Sequence, residues 1–246
     1  TGHPRVAYLN NSTIHFHMVS QEKFAEVCGI HAGDGWMSKY NYEVGYGTAI
    51  YEVPYFIYVV KLYQQFFDMK FTRILWRKCV ELRIQSKKSQ QILQDAGFPR
   101  GKKLDNLHIP DFIKNKPKLL KPFIRGLVDT DGHAYWRKNQ YGQQSLVITL
   151  TTTSKPFAKE ICNALTFLGY RAQLFHYEYS KLNGRRNVFK ITIMRRDCVK
   201  KYLEEIGFSN IRRWQKVVSC EEIFSKYAIS KKMATFLNGL KVNRRQ

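Results

Sequence analysis

The chain has 246 residues, 44% of them hydrophobic and 14% aromatic, which is enough to bury a sizeable core and too apolar for a disordered chain. It carries 41 Lys and Arg against 19 Asp and Glu, a net charge of +22; such an excess repels itself in the folded state and calls for a polyanionic partner, most commonly nucleic acid. No apolar run is long enough for a membrane span, the first residues lack the apolar core of a secretory signal, and 5 scattered cysteines without any CxxC fit free thiols in a reducing intracellular compartment, cytoplasm or organelle matrix, over a disulfide framework or a zinc site.

In chain order, residues 1–19 read as an N-terminal arm, in which Ile14, Phe16 and Met18 alternate with His15 and His17; the two histidines read as exposed side chains. Ser20 is placed to cap a helix that runs to Asp34, with Gly35 ending it in the left-handed conformation. Strands are expected over 36–40 and 42–51, a helix over 55–68, a hairpin over 73–76 and 79–84 with Arg77-Lys78 at its tip, and a helix over 87–96 stopped by Gly97-Phe98-Pro99. A Pro-marked linker, 99–116, leads to a helix over 119–131. The order then repeats: strands over 134–138 and 145–152, a helix over 156–168 capped by Thr153-Ser154, strands over 171–177 and 187–194 joined by a loop with Asn183-Gly184-Arg185-Arg186, and a helix over 197–206 closed by Gly207-Phe208. The helix end Ile92–Phe98 rhymes with Tyr202–Phe208. The reading is an α+β fold of two αββαββα halves, 20–105 and 106–208 (the second including the linker from residue 106 on), with a C-terminal extension, 209–246, that has two further helices.

Two nonamers carry the chemistry. Val27-Cys28-Gly29-Ile30-His31-Ala32-Gly33-Asp34-Gly35 is matched 97 residues later by Ile124-Arg125-Gly126-Leu127-Val128-Asp129-Thr130-Asp131-Gly132. Gly29 and Gly33, like Gly126 and Thr130, are small residues four apart on one helical face, where two backbones can approach closely. Two such helices packed side by side bring Asp34 and Asp131 together at their C-terminal ends. A carboxylate there faces the negative end of the helix dipole, and two repel each other. A divalent cation reverses both penalties, and hard oxygen ligands suit Mg²⁺ or Ca²⁺. Two metals bracketing a phosphodiester would stabilise both the attacking and the leaving oxygen, which is the chemistry of a nuclease.

The two motifs, with the run Ile109-Pro110 and Leu119-Leu120-Lys121-Pro122-Phe123 ahead of the second, resemble those of the LAGLIDADG homing endonucleases in their two-motif, single-chain form, over roughly residues 20–208. The resemblance implies two antiparallel β-sheets forming a concave saddle over double-stranded DNA, and a functional monomer that cuts both strands to leave 3′ overhangs. It implies Mg²⁺ held by Asp34 and Asp131 with help from the Gly33 and Thr130 carbonyls, Ca²⁺ binding without supporting cleavage, and Mn²⁺ as a substitute. It also implies basic residues near the metals; Lys87 and Lys88 in the first half and Arg195 and Arg196 in the second fit a place just after the fourth strand. The first motif departs from the pattern at His31 and Ala32, so the first half is expected to be the weaker.

Base and phosphate contacts are expected from Ser38, Tyr40, Arg83, Asn139, Gln143, Lys190 and Thr192, and from the basic pairs Arg77-Lys78, Arg137-Lys138 and Arg185-Arg186 at hairpin ends. Residues 1–105 carry 14 Lys/Arg and 9 Asp/Glu, a net +5, and residues 106–246 carry 27 and 10, a net +17, so the second half is expected to supply more of the phosphate attraction. The rival readings are an intron RNA maturase, a non-catalytic sequence-specific nucleic-acid-binding protein on the same scaffold, and an endonuclease domain cut from an intein. Paired carboxylates facing a polyanion favour the enzyme, and the absence of protein-splicing residues at either end speaks against the last.

Overall fold

Two motif helices form the spine of the molecule, α1 (Met18–Gly33) and α4 (Pro117–Asp131), packed side by side along their length. This computed structural model describes residues 18–67, 71–76, 78–103, 106–181 and 184–219, and no side chain in 18–20, 71–76, 180–181 or 184–186. The expected arm, Arg77 and the extension beyond residue 219 therefore lie outside the described residues, as do the side chains of Arg185 and Arg186.

The helices touch because their facing residues are small. A Cβ on Gly29 would overlap the Phe123 carbonyl, one on Gly126 the Glu26 carbonyl, and one on Gly33 the Thr130 hydroxyl. That hydroxyl is folded back onto its own helix, donating to the Gly126 and Leu127 carbonyls at 3.1 and 2.9 Å. A polar cluster crosses the same seam. Glu26, almost fully buried, accepts from the Arg125 guanidinium at 2.5 Å, from the Tyr58 hydroxyl at 2.8 Å and from the Ser209 hydroxyl at 2.6 Å.

The remaining elements repeat. The first half has β1 (Gly35–Met37), β2 (Glu43–Ala49), α2 (Val53–Tyr63), β3 (Phe71–Trp76), β4 (Cys79–Gln85) and α3 (Lys87–Asp95). The second has β5 (Gly132–Lys138), β6 (Gln144–Thr152), α5 (Lys155–Phe167), β7 (Ala172–Lys181), β8 (Gly184–Ile193) and α6 (Arg196–Glu205). Each half is one antiparallel four-stranded sheet, ordered β1-β2-β4-β3 and β5-β6-β8-β7. The αββαββα repeat is thus present twice with the same strand order. Alternation sets the faces: Val44, Tyr46, Leu82 and Ile84 in one sheet and Ile148, Leu150, Ile191 and Ile193 in the other are buried under the helices. Their neighbours in sequence point to the open face.

Several boundaries differ from expectation. α1 already contains Met18, so Ser20 does not cap it. Pro54 sits inside the first turn of α2, where its missing N–H costs nothing. α4 starts at Pro117 for the same reason. Gly35 is not left-handed: it starts β1, and glycine is required because a Cβ would strike the backbone and ring of His31. Gly132 likewise leaves α4 in extended conformation, with a Cβ position overlapping the Val128 carbonyl. The expected loop at 183–186 is shorter, and Gly184 to Arg186 belong to β8. A short helix, α7 (Ile211–Val217), lies against β5, where Trp136 donates to the Lys216 and Val217 carbonyls at 3.2 and 3.1 Å. No helix among the described residues is long and apolar enough to cross a membrane.

Candidate active site

Asp131 ends α4 and Asp34 follows the last residue of α1, so the parallel seam delivers both carboxylates to one end of the spine. The Asp131 carboxyl carbon lies 3.5 Å from where a Cβ of Gly33 would stand. Among the described residues neither carboxylate is held by a hydrogen bond or an ion pair. Protein crowds both from behind while the Asp131 side chain opens to solvent. Burial, and then the Asp34 charge, push Asp131 up to about 7 against the pull of Lys103 and Arg213. Burial also raises Asp34, with Lys103 and Arg213 opposing and Glu52 adding to the rise.

Two cations stand at the two helix ends, and both were absent from the residues expected from sequence. The Lys103 ammonium donates to the carbonyls of His31, Ala32, Gly33 and Gly35 at 2.9, 3.0, 2.7 and 2.5 Å, closing the C-terminus of α1. The Arg213 guanidinium donates to the Asp129 and Thr130 carbonyls at 3.1 and 3.2 Å, closing the C-terminus of α4. Orphan carbonyls and the negative end of the helix dipole favour a cation at such a place. Burial lowers Lys103 to about 8, while Asp131 and Asp34 hold it up.

The signal for this pair was in the sequence. Lys103 follows Gly97-Phe98 at the spacing by which Arg213 follows Gly207-Phe208, so Lys102-Lys103 and Arg212-Arg213 are the same feature 110 residues apart. The rhyme at the helix ends extends six residues beyond the glycines. The halves anchor these segments differently. Asp129 is fully buried and accepts from the Ser209 and Asn210 amides at 2.7 and 3.2 Å, tying down the chain that leads to Arg213. In the first motif Ala32 stands at the place of Asp129; there Arg100 and Gly101 are tied instead to the carbonyls of Ser38, Lys39 and Met37. The other departure, His31, is a packing residue: fully buried, edge-on to Phe98 at 4.9 Å, and kept neutral by burial and by Lys103.

Beside Asp34 lies a cleft of about 480 Å³ lined by Trp36, Glu52, Glu81, Thr130 and Arg213 among others. Glu52 is held there by the Thr48 hydroxyl at 2.7 Å and the Asn210 amide at 3.3 Å. Among the described residues no group of three or more His, Cys, Asp and Glu is placed to hold a metal. The donor set is instead two unpartnered carboxylates and the Gly33 and Thr130 carbonyls, each with a lone pair beyond its bond to Lys103 or Arg213. Such a set fits a hard cation that completes its shell with water and phosphate.

The other expected basic residues are not brought to the acids. Lys87 and Lys88 open α3 at the hairpin-tip end of the first sheet, five and six residues past Leu82, the β4 residue aligned with Gly35 through Tyr46. At about 3.3 Å per strand residue that is roughly 17 Å or more. Lys87 lies over the Tyr42 ring instead. Arg195 and Arg196 occupy the equivalent end of the second sheet, with Arg195 paired to Asp197 at 3.0 Å. Sequence spacing placed them after the right strand, but the antiparallel strand leads away from the motif helices.

Of the expected DNA-contact residues, Tyr40 is 90% exposed at the β1–β2 tip, where Ser38 accepts from the Tyr40 and Asn41 amides at 3.3 Å. Lys78 is exposed in the β3–β4 turn. Arg137, Lys138, Asn139 and Gln143 are exposed around the β5–β6 tip, and Lys190 lies on the open face with its ammonium 3.3 Å from the Tyr135 hydroxyl. Arg83 is engaged by Glu81 at 2.7 Å. Thr192 is only 3% exposed on a central strand, so its short side chain does not reach the surface as expected.

The fold and the paired acids define a class, the single-chain LAGLIDADG homing endonuclease fold. Residues 119–207 match the LAGLIDADG-like domain family, and the described chain has the fold of that class. I-DmoI, solved as mesophilic variants, matches with a TM-score of 0.53 and 16% identity over 76% of this chain and 96% of that one. I-WcaI bound to its DNA recognition sequence matches at 0.51 with 14% identity over 87% and 89%. I-SmaMI bound to an uncleaved DNA target with calcium ions matches at 0.50 with 12% identity over 90% and 98%. Among curated proteins, the replication factor C small subunit of Methanocaldococcus jannaschii is 27% identical over 218 residues, 87% of this chain and 11% of that protein. The tRNA-splicing ligase RtcB of Methanopyrus kandleri is 26% identical over 137 residues, 52% of this chain and 13% of that protein.

Proposed function

We propose that this protein is a site-specific endonuclease that cuts both strands of a DNA duplex with a divalent cation, Mg²⁺ in the cell, leaving 3′ overhangs. The observation that carries this reading is the pair of unpartnered acids, Asp34 and Asp131, at the end of a glycine-packed helix pair in a chain of net charge +22. Two adjacent carboxylates without partners, crowded by protein from behind and open in front, serve no binding purpose against a polyanion. The cation would be held by Asp34, Asp131 and the Gly33 and Thr130 carbonyls, and would supply charge neutralisation at the scissile phosphate and an activated water.

The chain's own groups do the rest. Lys103 and Arg213, each close enough to act on both acids, place positive charge where the pentacovalent phosphate gains negative charge. Their hydrogen bonds to the helix-end carbonyls fix those charges before substrate arrives, so little reorganisation is needed. The open sheet faces hold the duplex against the seam. Structures of I-DmoI with its target DNA and manganese, and with DNA and calcium, are consistent with divalent-metal use on this fold.

The test is cleavage of a plasmid library carrying candidate sites, with Mg²⁺ and then with EDTA. Metal-dependent linear product is expected; tight duplex binding without cleavage under any divalent cation would leave only the binding-protein reading standing.

A further inference from the structure

The β7 strand carries a feature that phosphate attraction does not explain. Phe175, Tyr177 and Tyr179 are 37%, 41% and 52% exposed. They follow each other at every second residue, with ring centroids 6.4 and 6.3 Å apart and planes tilted by 32 and 35°. Residues i, i+2 and i+4 of a strand share one face. The face is fixed by register: Phe175 stands opposite Lys190, and Lys190 opposite Thr151, while the buried Ile191 and Ile193 point the other way under the helices. The row therefore lies on the open face, continuous with Lys190, whose ammonium reaches the Tyr135 hydroxyl and lies 5.4 Å from the centre of that ring.

Three exposed aromatics in line on a soluble protein's edge strand are costly unless something covers them. Residues 106–246, which include the row, have a net charge of +17, and the row adjoins Lys190, so the complementary surface is anionic at its walls and apolar at its floor. The major groove of B-DNA has that character: phosphates on either side, and thymine C5-methyl groups as its apolar elements.

Resting on the duplex-endonuclease reading above, the geometry points to Phe175, Tyr177 and Tyr179 as specificity residues that read thymine methyl groups in the half-site bound by the second sheet. The contact uses the ring faces and edges; the tyrosine hydroxyls are not required. Sequence preference in that half-site is thus apolar in part, beside the hydrogen-bonded readout from residues such as Lys190.

The test uses the full chain and a randomised duplex library in EDTA. Wild type is expected to select sites with two or three thymines clustered in one half-site. Replacing each by deoxyuridine, which differs only in the methyl, should weaken binding by about fourfold, the equivalent of one buried methyl-sized group. Y177F should keep this discrimination, whereas F175A and Y177A should bind thymine and deoxyuridine sites alike with an unchanged salt slope. The deoxyuridine comparison on wild type needs no variant, so misfolding of an alanine variant does not blunt it. Selected sites indifferent to deoxyuridine throughout would overturn the ladder's role and leave the nuclease reading intact. Selection of no duplex sequence at all would overturn both.

Discussion

Asp131 is an acid that folding alone disfavours. Its carboxyl is pushed up to about 7 by burial and by Asp34, whereas in the unfolded chain it titrates near 4. Between those values the folded state binds more protons than the unfolded state, so stability falls as pH rises through that window. Metal-free protein is therefore expected to melt at a lower temperature at pH 7.5 than at pH 5 on this account. Asp131→Asn, which removes the charge, should flatten that trend and raise the metal-free Tm at pH 7.5 by a few degrees, with roughly 1 kcal/mol corresponding to about 2–4 °C in a chain of this size. Differential scanning calorimetry in EDTA reads this directly, and an unchanged Tm profile would contradict the repulsion between the acids. In the presence of Mg²⁺, Asp34→Asn and Asp131→Asn should each abolish double-strand cleavage while retaining duplex binding; full activity in either variant would refute the site.

At the scale of elements, the helix pair and the segments that cap it act together. Gly29 and Gly126 each sit against a backbone carbonyl of the partner helix, so no side-chain rotation can make room. Gly126→Ala is expected to destabilise by about 1–3 kcal/mol through overpacking, measurable by urea titration, and to impair cleavage beyond the stability loss because the seam also spaces the acids. The capping cations give a more specific outcome. Lys103 closes the end of α1 and Arg213 the end of α4, so the proposed reaction assigns one cation to each strand. Lys103→Met should slow cutting of one strand, and Arg213→Met the other, so each variant should accumulate nicked plasmid with the nick on opposite strands. Lys103→Arg should restore linear product, since arginine already fills the equivalent place in the second half. Uniform slowing of both strands by either variant would show that the two cations are not half-specific.

The whole molecule is asymmetric despite its repeated topology. Residues 1–105 carry a net +5, and the first half presents Glu43, Glu52 and Glu81 near its open face and cleft, with Glu81 engaging Arg83. Residues 106–246 carry +17, with Arg137 and Lys190 on the open face of the second sheet and Lys138 exposed at the end of β5. Binding should therefore fall steeply with salt, by about 10³–10⁵ between 50 and 200 mM if six to ten phosphates are contacted. Neutralising Arg137 and Lys138 should lower the slope of log K against log salt by about two, more than Arg83→Ala does; equal slopes for these variants would argue against a dominant second half.

What the sequence determined by itself was whatever its repeats encode locally: two nonamers with small residues four apart and a terminal Asp-Gly, strand patterns in the same order in both halves, and a charge excess set by composition. Those features specify the two αββαββα halves and the meeting of Asp34 with Asp131, because helical and strand periodicities translate directly into faces. Tertiary structure alone decided which basic groups stand beside the acids. Lys87, Lys88, Arg195 and Arg196 lie close to the motif strands in sequence order, but an antiparallel strand carries its end away from the helix it pairs beneath. Lys103 and Arg213 lie outside the repeated helices and strands, yet the chain returns to the carbonyls that a helix end leaves unsatisfied. Position along the strand is local and legible; return of a loop to a distant helix end depends on packing that no single segment contains.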